Sequence, residues 1–211
     1  MALQCGQGVW VAFVVLQKGR FGRQFLSIMK RTMTLVAIFL AGAFAGADEL
    51  HVSSAEPVYV VAPAQWKLGT DRAPVNLFPF ETYHVAATGG RNALCLISIY
   101  AKDKPQFTDA EFLKKVLRGD SQPYLSAPGD AAKLEIKELK IAEGLGFYAN
   151  FTDPDLVGKP VEKGNYKTAT PIILSLGSKY LIKVTILCDD LGGADYQDAM
   201  KIVESIKIKK G

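Results

Sequence analysis

Histidine is scarce in this sequence. Only His51 and His84 occur among 211 residues, and they lie in different segments. Neither has the partner spacing of a zinc site, and no H-E-x-x-H is present. Cysteine is nearly as rare. Cys5, Cys95 and Cys188 are the three, and no C-x-x-C joins any two. There is no G-x-S-x-G turn and no phosphate-binding glycine loop. A Ser/His/Asp triad stays open only because its members need no fixed order in sequence. No cofactor is expected. His84 falls in a strand-like stretch and reads as a half-exposed sheet residue rather than a catalyst.

Acidic residues are missing from the first 47 positions, while Lys18, Arg20, Arg23, Lys30 and Arg31 all fall there. Of 25 basic residues this leaves 20 against 21 acidic ones, a net of −1 from residue 48 onward. The overall charge of +4 therefore belongs to the leader. It does not describe a nucleic-acid-binding surface, and no nucleic-acid partner is expected. A long apolar run is also absent. Met33 to Phe44 is apolar apart from Thr34 and Gly42, shorter than the ~20 residues of a spanning helix.

That short run has the layout of a secretory signal at residues 29–47. Lys30-Arg31 gives a positive start, and Ala45-Gly46-Ala47 gives the small residues a signal peptidase reads. Met29 directly precedes the basic pair. Residues 1–28 are accordingly expected to be a misassigned N-terminal extension. The alternative is a signal with a long basic region. No cysteine follows the apolar run at a lipidation position. The expected location is exported, periplasmic or secreted, in a bacterium, with membrane contact only through the signal before cleavage.

Residues 48–211 read as a single α+β domain with a mostly antiparallel sheet built from hairpins. A mid-chain and a C-terminal helix pack on that sheet. Residues 48–57 are expected to be a polar entry segment, followed by a strand at Val58 to Val61 and a turn at Gly69-Thr70-Asp71. Tyr83 to Ala87 and Ala93 to Ala101 flank Gly89-Gly90 as a hairpin, with Ala93, Cys95, Ile97 and Ile99 on one face. Residues 108–118 have the strongest helical pattern. Thr108 and Glu111 make a capping box, Phe107 and Phe112 occupy staple positions, and Gly119 suits a left-handed end. Phe112, Leu113, Val116 and Leu117 form its apolar stripe. Leu134 to Ile141 suits a bulged strand, with a helix as the alternative.

Thr168 to Leu176 and Lys179 to Cys188 flank Gly177-Ser178 as a second hairpin with one buried and one partly wet face. The closing helix has Asp195 as its expected N-cap. Tyr196, Ala199, Met200 and Val203 recur at helical spacing, with Lys207, Lys209 and Lys210 at the end.

This layout resembles the PsbP-like superfamily. The points of likeness are a strand followed by Pro63-Ala64-Gln65-Trp66, a mid-chain helix, successive hairpins, and a last helix ending Ile202-Val203-Glu204-Ser205-Ile206. Residues 145–206 also look like a group of uncharacterised exported bacterial proteins. Phe151-Thr152-Asp153-Pro154 and Thr185-Ile186-Leu187-Cys188-Asp189-Asp190 carry that likeness. The resemblance implies a non-enzymatic accessory or binding protein and transfers no functional residue.

Candidate contact residues are few. Leu77, Phe78, Phe80 and Tyr83 make an aromatic segment that lines either a ligand cleft or the core. The loops 120–131 and 153–166 are the other candidate contact regions. Asp189, Asp190, Asp195 and Asp198 are clustered carboxylates, as are Asp153 and Asp155. Calcium would want such oxygens, yet the spacing is not that of an EF-hand, and a solvated turn with an N-cap explains them. Cys95 and Cys188 fall on apolar strand faces, where they are either a disulfide or two buried thiols. Asn150-Phe151-Thr152 matches a glycosylation sequon, made irrelevant by a bacterial leader.

The expected function is that of an exported non-catalytic binding or accessory protein, its partner an unknown protein or small ligand. The alternatives are a small hydrolase with a scattered active site and a carrier of a small apolar ligand.

Overall fold

The computed structural model describes residues 47–50, 58–71, 81–102, 106–125 and 133–208. The chain divides into two compact units, Met1–Ala41 and Gly42–Gly211, and every described residue belongs to the second. Phe78, Phe80 and His51, with residues 1–46, lie outside the described residues.

Among the described residues five strands precede the first α-helix, five more precede the second, and one strand follows it. The main sheet runs in the order β3 (Trp66–Asp71), β4 (Glu81–Ala87), β5 (Leu94–Ala101), β10 (Tyr180–Cys188), β9 (Thr168–Leu176), β7 (Gly144–Tyr148) and β6 (Lys137–Leu139). Short β8 (Phe151–Thr152) also pairs with β9. A second sheet joins β1 (Ala47–Leu50), β2 (Val58–Val61) and β11 (Lys207–Ile208). Every pairing among the described residues is antiparallel. The mixed class and the mostly antiparallel sheet agree with the sequence pattern, as do the two helices, α1 (Ala110–Asp120) and α2 (Ala194–Glu204).

The hairpins follow from their turns. Gly89 and Gly90 both take positive φ, at 69° and 85°, between β4 and β5. In the β9–β10 hairpin Leu176 pairs with Tyr180, so the connection is the three residues 177–179 rather than Gly177-Ser178 alone. Gly177 and Ser178 both turn left-handed there, at 53° and 58°. The extra residue is accommodated because the Ser178 carbonyl accepts two backbone N–H groups, from Gln106 and Phe107, each at 3.0 Å. Pro171 lies inside β9, a position that usually excludes proline. The partner chain breaks beside it: β7 pairs with residues 172–176 and β8 with 168–169, leaving Ala149 and Asn150 at the gap.

Several boundaries differ from the sequence pattern. Asp48 to Leu50 enter strand β1 instead of a polar entry segment, because β2 offers them a free edge. Residues 69–71 continue β3 without a turn, paired with 82–84 of β4. Asp109, not Thr108, caps α1, its carboxylate accepting from the Glu111 N–H at 2.9 Å. The helix runs through Gly119 to Asp120, and Ser121 ends it in a right-handed conformation, so no left-handed glycine is used. Only Lys137–Leu139 of the segment 134–141 pairs as strand. Gly193 precedes α2 as its cap, with no side-chain capping bond, and Asp195 falls in the first turn.

The core lies on both faces of the sheet. On one face Val85, Cys95, Ile97, Ile172, Leu174, Ile182, Val184 and Ile186 pack with Val58 and Val60 of β2 and with Ala199, Ile202 and Val203 of α2. On the other, Leu113 and Leu117 of α1 pack on Phe147, Ile173 and Leu181 with Phe107. Every residue of β9 is consequently buried, while on β10 Lys183 and Thr185 stay half-buried between buried neighbours, as the alternation there implies. Burial of a leucine such as Leu117 contributes on the order of 1.5–3 kcal/mol. At the end of α1 the Asp120 carboxylate meets Lys183 Nζ of β10 at 2.8 Å. Burial raises the Asp120 carboxyl, opposed by that ammonium. Glycine is required at Gly144, where a Cβ would collide with the Ser175 carbonyl of β9. Among the described residues no helix is long and apolar enough to cross a membrane.

Candidate functional site

The loops at one end of the main sheet carry most of the noteworthy polar chemistry. Here β4 turns into β5, β10 ends, and α2 begins, so residues far apart in sequence meet. Asn92 is the hub. Its Nδ2 donates to the Asn165 carbonyl at 2.7 Å and to both Asp189 carboxylate oxygens at 3.1 Å. Its Oδ1 accepts the Gly164 N–H at 3.0 Å. Three loops are thus locked to one amide.

Arg91 is the second clamp. It pairs with Asp195 and with Asp198, the latter at 3.0 Å, both from α2. Its guanidinium lies 5.5 Å from the centroid of the Trp66 ring on β3, a cation–π contact. Desolvation alone would lower the Arg91 pKa, but Asp195 and Asp198 raise it. Burial alone would raise the Asp198 carboxyl, but the hydrogen bond and charge of Arg91 hold it below the ordinary carboxylate value.

Asp189, Asp190, Gly193, Ala194 and Asp195 line an open cleft of about 250 Å³ beside these clamps. Asp189 is half-buried and Asp190 exposed. Asp190 Oδ1 accepts the Gly192 N–H at 2.9 Å, a local turn bond. Tyr166 borders the same loops, its hydroxyl pushed up to about 12 by burial and by the Asp189 charge. The cleft can therefore accept hydrogen bonds from, or neutralise, a cationic or donor-rich group. As a calcium site it has little to offer: among the described residues no three His, Cys, Asp or Glu side chains are grouped to hold a metal ion.

The other candidates are scattered. Tyr83 is 7% exposed and packs in the core opposite Ile97, so it lines no cleft. His84 is half-buried, with Gly69 and Leu96 directly across from it on the two neighbouring strands. Asp153 is buried and caps a short turn through the Asp155 N–H at 2.9 Å. The sequon residue Asn150 accepts from Thr170 at 2.9 Å and Tyr196 at 3.1 Å. Cys95 and Cys188 are free thiols, both buried. Arg91 and Asn92, which organise the site, carried no sequence signal beyond following the Gly89-Gly90 turn.

The chain matches no protein-family model, and neither curated proteins nor solved structures yield a match.

Proposed function

We propose that this chain is an exported, non-catalytic binding or accessory protein whose working part is the α+β domain of residues 48–211. The observation that carries the reading is how the sheet-end loops use their polar groups. Arg91 is committed to Asp195 and Asp198, and Asn92 to Asp189 and to two backbone groups of the loop at Gly164 and Asn165. Groups so committed hold a surface rigid, which favours recognition over proton or group transfer. The leader at 29–47 supports export, and the PsbP-like layout supports an accessory role. The partner, a protein or small ligand, would present a cationic or donor-rich group to Asp189 and Asp190.

Expression of the full chain in a bacterial host, followed by fractionation, tests the reading. The expected product is a processed chain beginning at Asp48 in the exported fraction. Pull-down from that fraction should recover a partner that an Asp189→Asn/Asp190→Asn variant loses. A full-length chain retained in the cytosol, or a captured partner indifferent to that variant, would overturn it. A small apolar molecule carried through native mass spectrometry would instead favour the carrier reading.

A further inference from the structure

The two cysteines of residues 48–211 come together in the fold although they lie far apart in sequence. Cys95 of β5 pairs in register with Ile186 of β10. Cys188 stands two residues further along β10, on the same core face, so the two are diagonal neighbours across adjacent strands. They are 0% and 1% exposed. We propose that Cys95 and Cys188 are a dithiol that closes to a cross-strand disulfide in an oxidising compartment. The compartment rests on the export reading above; the pairing itself does not.

The geometry asks for a small movement at the end of β10. Diagonal neighbours stand ~7–8 Å apart at Cα, with Cβ atoms nearer, and a disulfide takes Cα separations up to ~6.8 Å. The β5–β10 ladder ends at Leu187 opposite Leu94. Cys188 lies one residue beyond, held by Thr168 of β9, whose hydroxyl donates to its carbonyl at 2.9 Å, but by no residue of β5. The loop 189–193 follows directly. Cys188 Sγ meets only soft restraints there, Thr168 Oγ1 at 3.1 Å and the Asp190 carbonyl at 3.7 Å. Burial pushes both thiols up, and the nearby Cys188 adds to the rise at Cys95. The closed fold therefore protects the reduced pair, and reaction accompanies folding or an opening of the loop 189–193.

Cys188, at the strand end, is exposed first by such opening. Its thiolate attacks an external disulfide, oxidised glutathione or that of an oxidoreductase, releasing one thiolate and leaving a mixed disulfide. The Cys95 thiolate then attacks Cys188 Sγ and releases the second. Two protein thiols are oxidised, one external disulfide is reduced to two thiols, and the two protons pass to the leaving thiolates.

The test uses the full chain, unfolded and reduced, then refolded in glutathione buffers of rising oxidised fraction. Remaining thiols are alkylated and the chain is mapped by mass spectrometry. The expected result is a Cys95–Cys188 linked peptide pair, lighter by two hydrogens, with glutathione on neither residue. The urea midpoint should rise on closure. In a Cys95→Ser chain, Cys188 should instead retain glutathione as a mixed disulfide. Two alkylated thiols in oxidised buffer, glutathione held on both cysteines, or pairing of either with Cys5 would each overturn the proposal. The wild-type map stands even if the variant fails to fold. Because the test is made in vitro, a failure of export leaves its result unchanged, and a failure of pairing leaves the fractionation result unchanged.

Discussion

Asn92 spends its whole amide on the sheet-end loops, so a single substitution there should be felt by three segments. Asn92→Ala leaves the half-buried Asp189 carboxylate, the Asn165 carbonyl and the Gly164 N–H without their partner. The expected cost is ~1–3 kcal/mol, read as a lower urea midpoint; an unchanged midpoint would show that the loops hold without the hub. Arg91 governs a pH effect. The folded Asp198 carboxyl titrates below its unfolded value. Its contribution is therefore present above the unfolded carboxylate pKa of ~3.9 and is lost as pH falls through the folded value. Acid titration of stability should accordingly show a loss below about pH 4 that Arg91→Met diminishes. An identical acid limb in both chains would remove Asp198 from the account. Neither residue was legible in the sequence. Polar side chains after a Gly-Gly turn look the same whether they point to water or clamp a distant helix, and only the return of α2 to that end decides.

At the scale of elements, the type of each helix was legible and its edge was not. Of the stripe Phe112, Leu113, Val116 and Leu117, Leu113 and Leu117 are buried, Val116 is half-buried and Phe112 is exposed. Phe107 and Phe112 do stack, with ring centroids 6.4 Å apart. Thr108 and Asp109 are adjacent residues of equal capping talent, however, and local chemistry alone does not choose between them. In the fold Phe107 is drawn toward the β9–β10 turn, where its N–H binds the Ser178 carbonyl and its own carbonyl accepts from Ser175. That anchorage fixes where the helix can begin. Asp109→Ala should therefore cost about 1 kcal/mol and Thr108→Ala close to nothing. Thermal or urea unfolding of the two variants checks the difference, and equal losses would restore the capping box. The strand at 137–139 was over-read for a related reason. Alternation at 134–141 marks two faces, but β7 offers a partner only to three residues.

At the scale of the whole sheet, the alternation of Tyr180 to Cys188 predicted one buried and one partly wet face, which Lys183 and Thr185 show on β10, but the fold also builds a second core against that face. The missing information was tertiary: α1 covers β9 and β7 from one side, while α2 and β2 close the other. β9 had carried a hint, since Pro171 to Leu174 is an unbroken apolar run, which suits a strand buried on both faces. The polar residues inside it are satisfied rather than wet, Thr170 by Asn150 and Ser175 by the Phe107 carbonyl. This arrangement predicts a gradient of local stability. β9 and β10 are nine residues each, pair on both edges and are covered on both faces. Away from the Cys188 end, their amides can exchange with solvent only when the unit opens as a whole. β6 has three residues at a sheet edge, and β11 has two at the edge of the smaller sheet. Those amides exchange through local fraying at a small fraction of the global free energy. Native-state hydrogen exchange should rank β9 and β10 slowest, β5 close behind, and β6 and β11 fastest. Adding sub-denaturing urea should accelerate the β9 and β10 amides steeply, because their opening exposes both cores, and leave the β6 amides nearly unaffected. If Lys137–Leu139 were as protected as Ile172–Leu174, the two-faced central sheet would not be what holds this chain together.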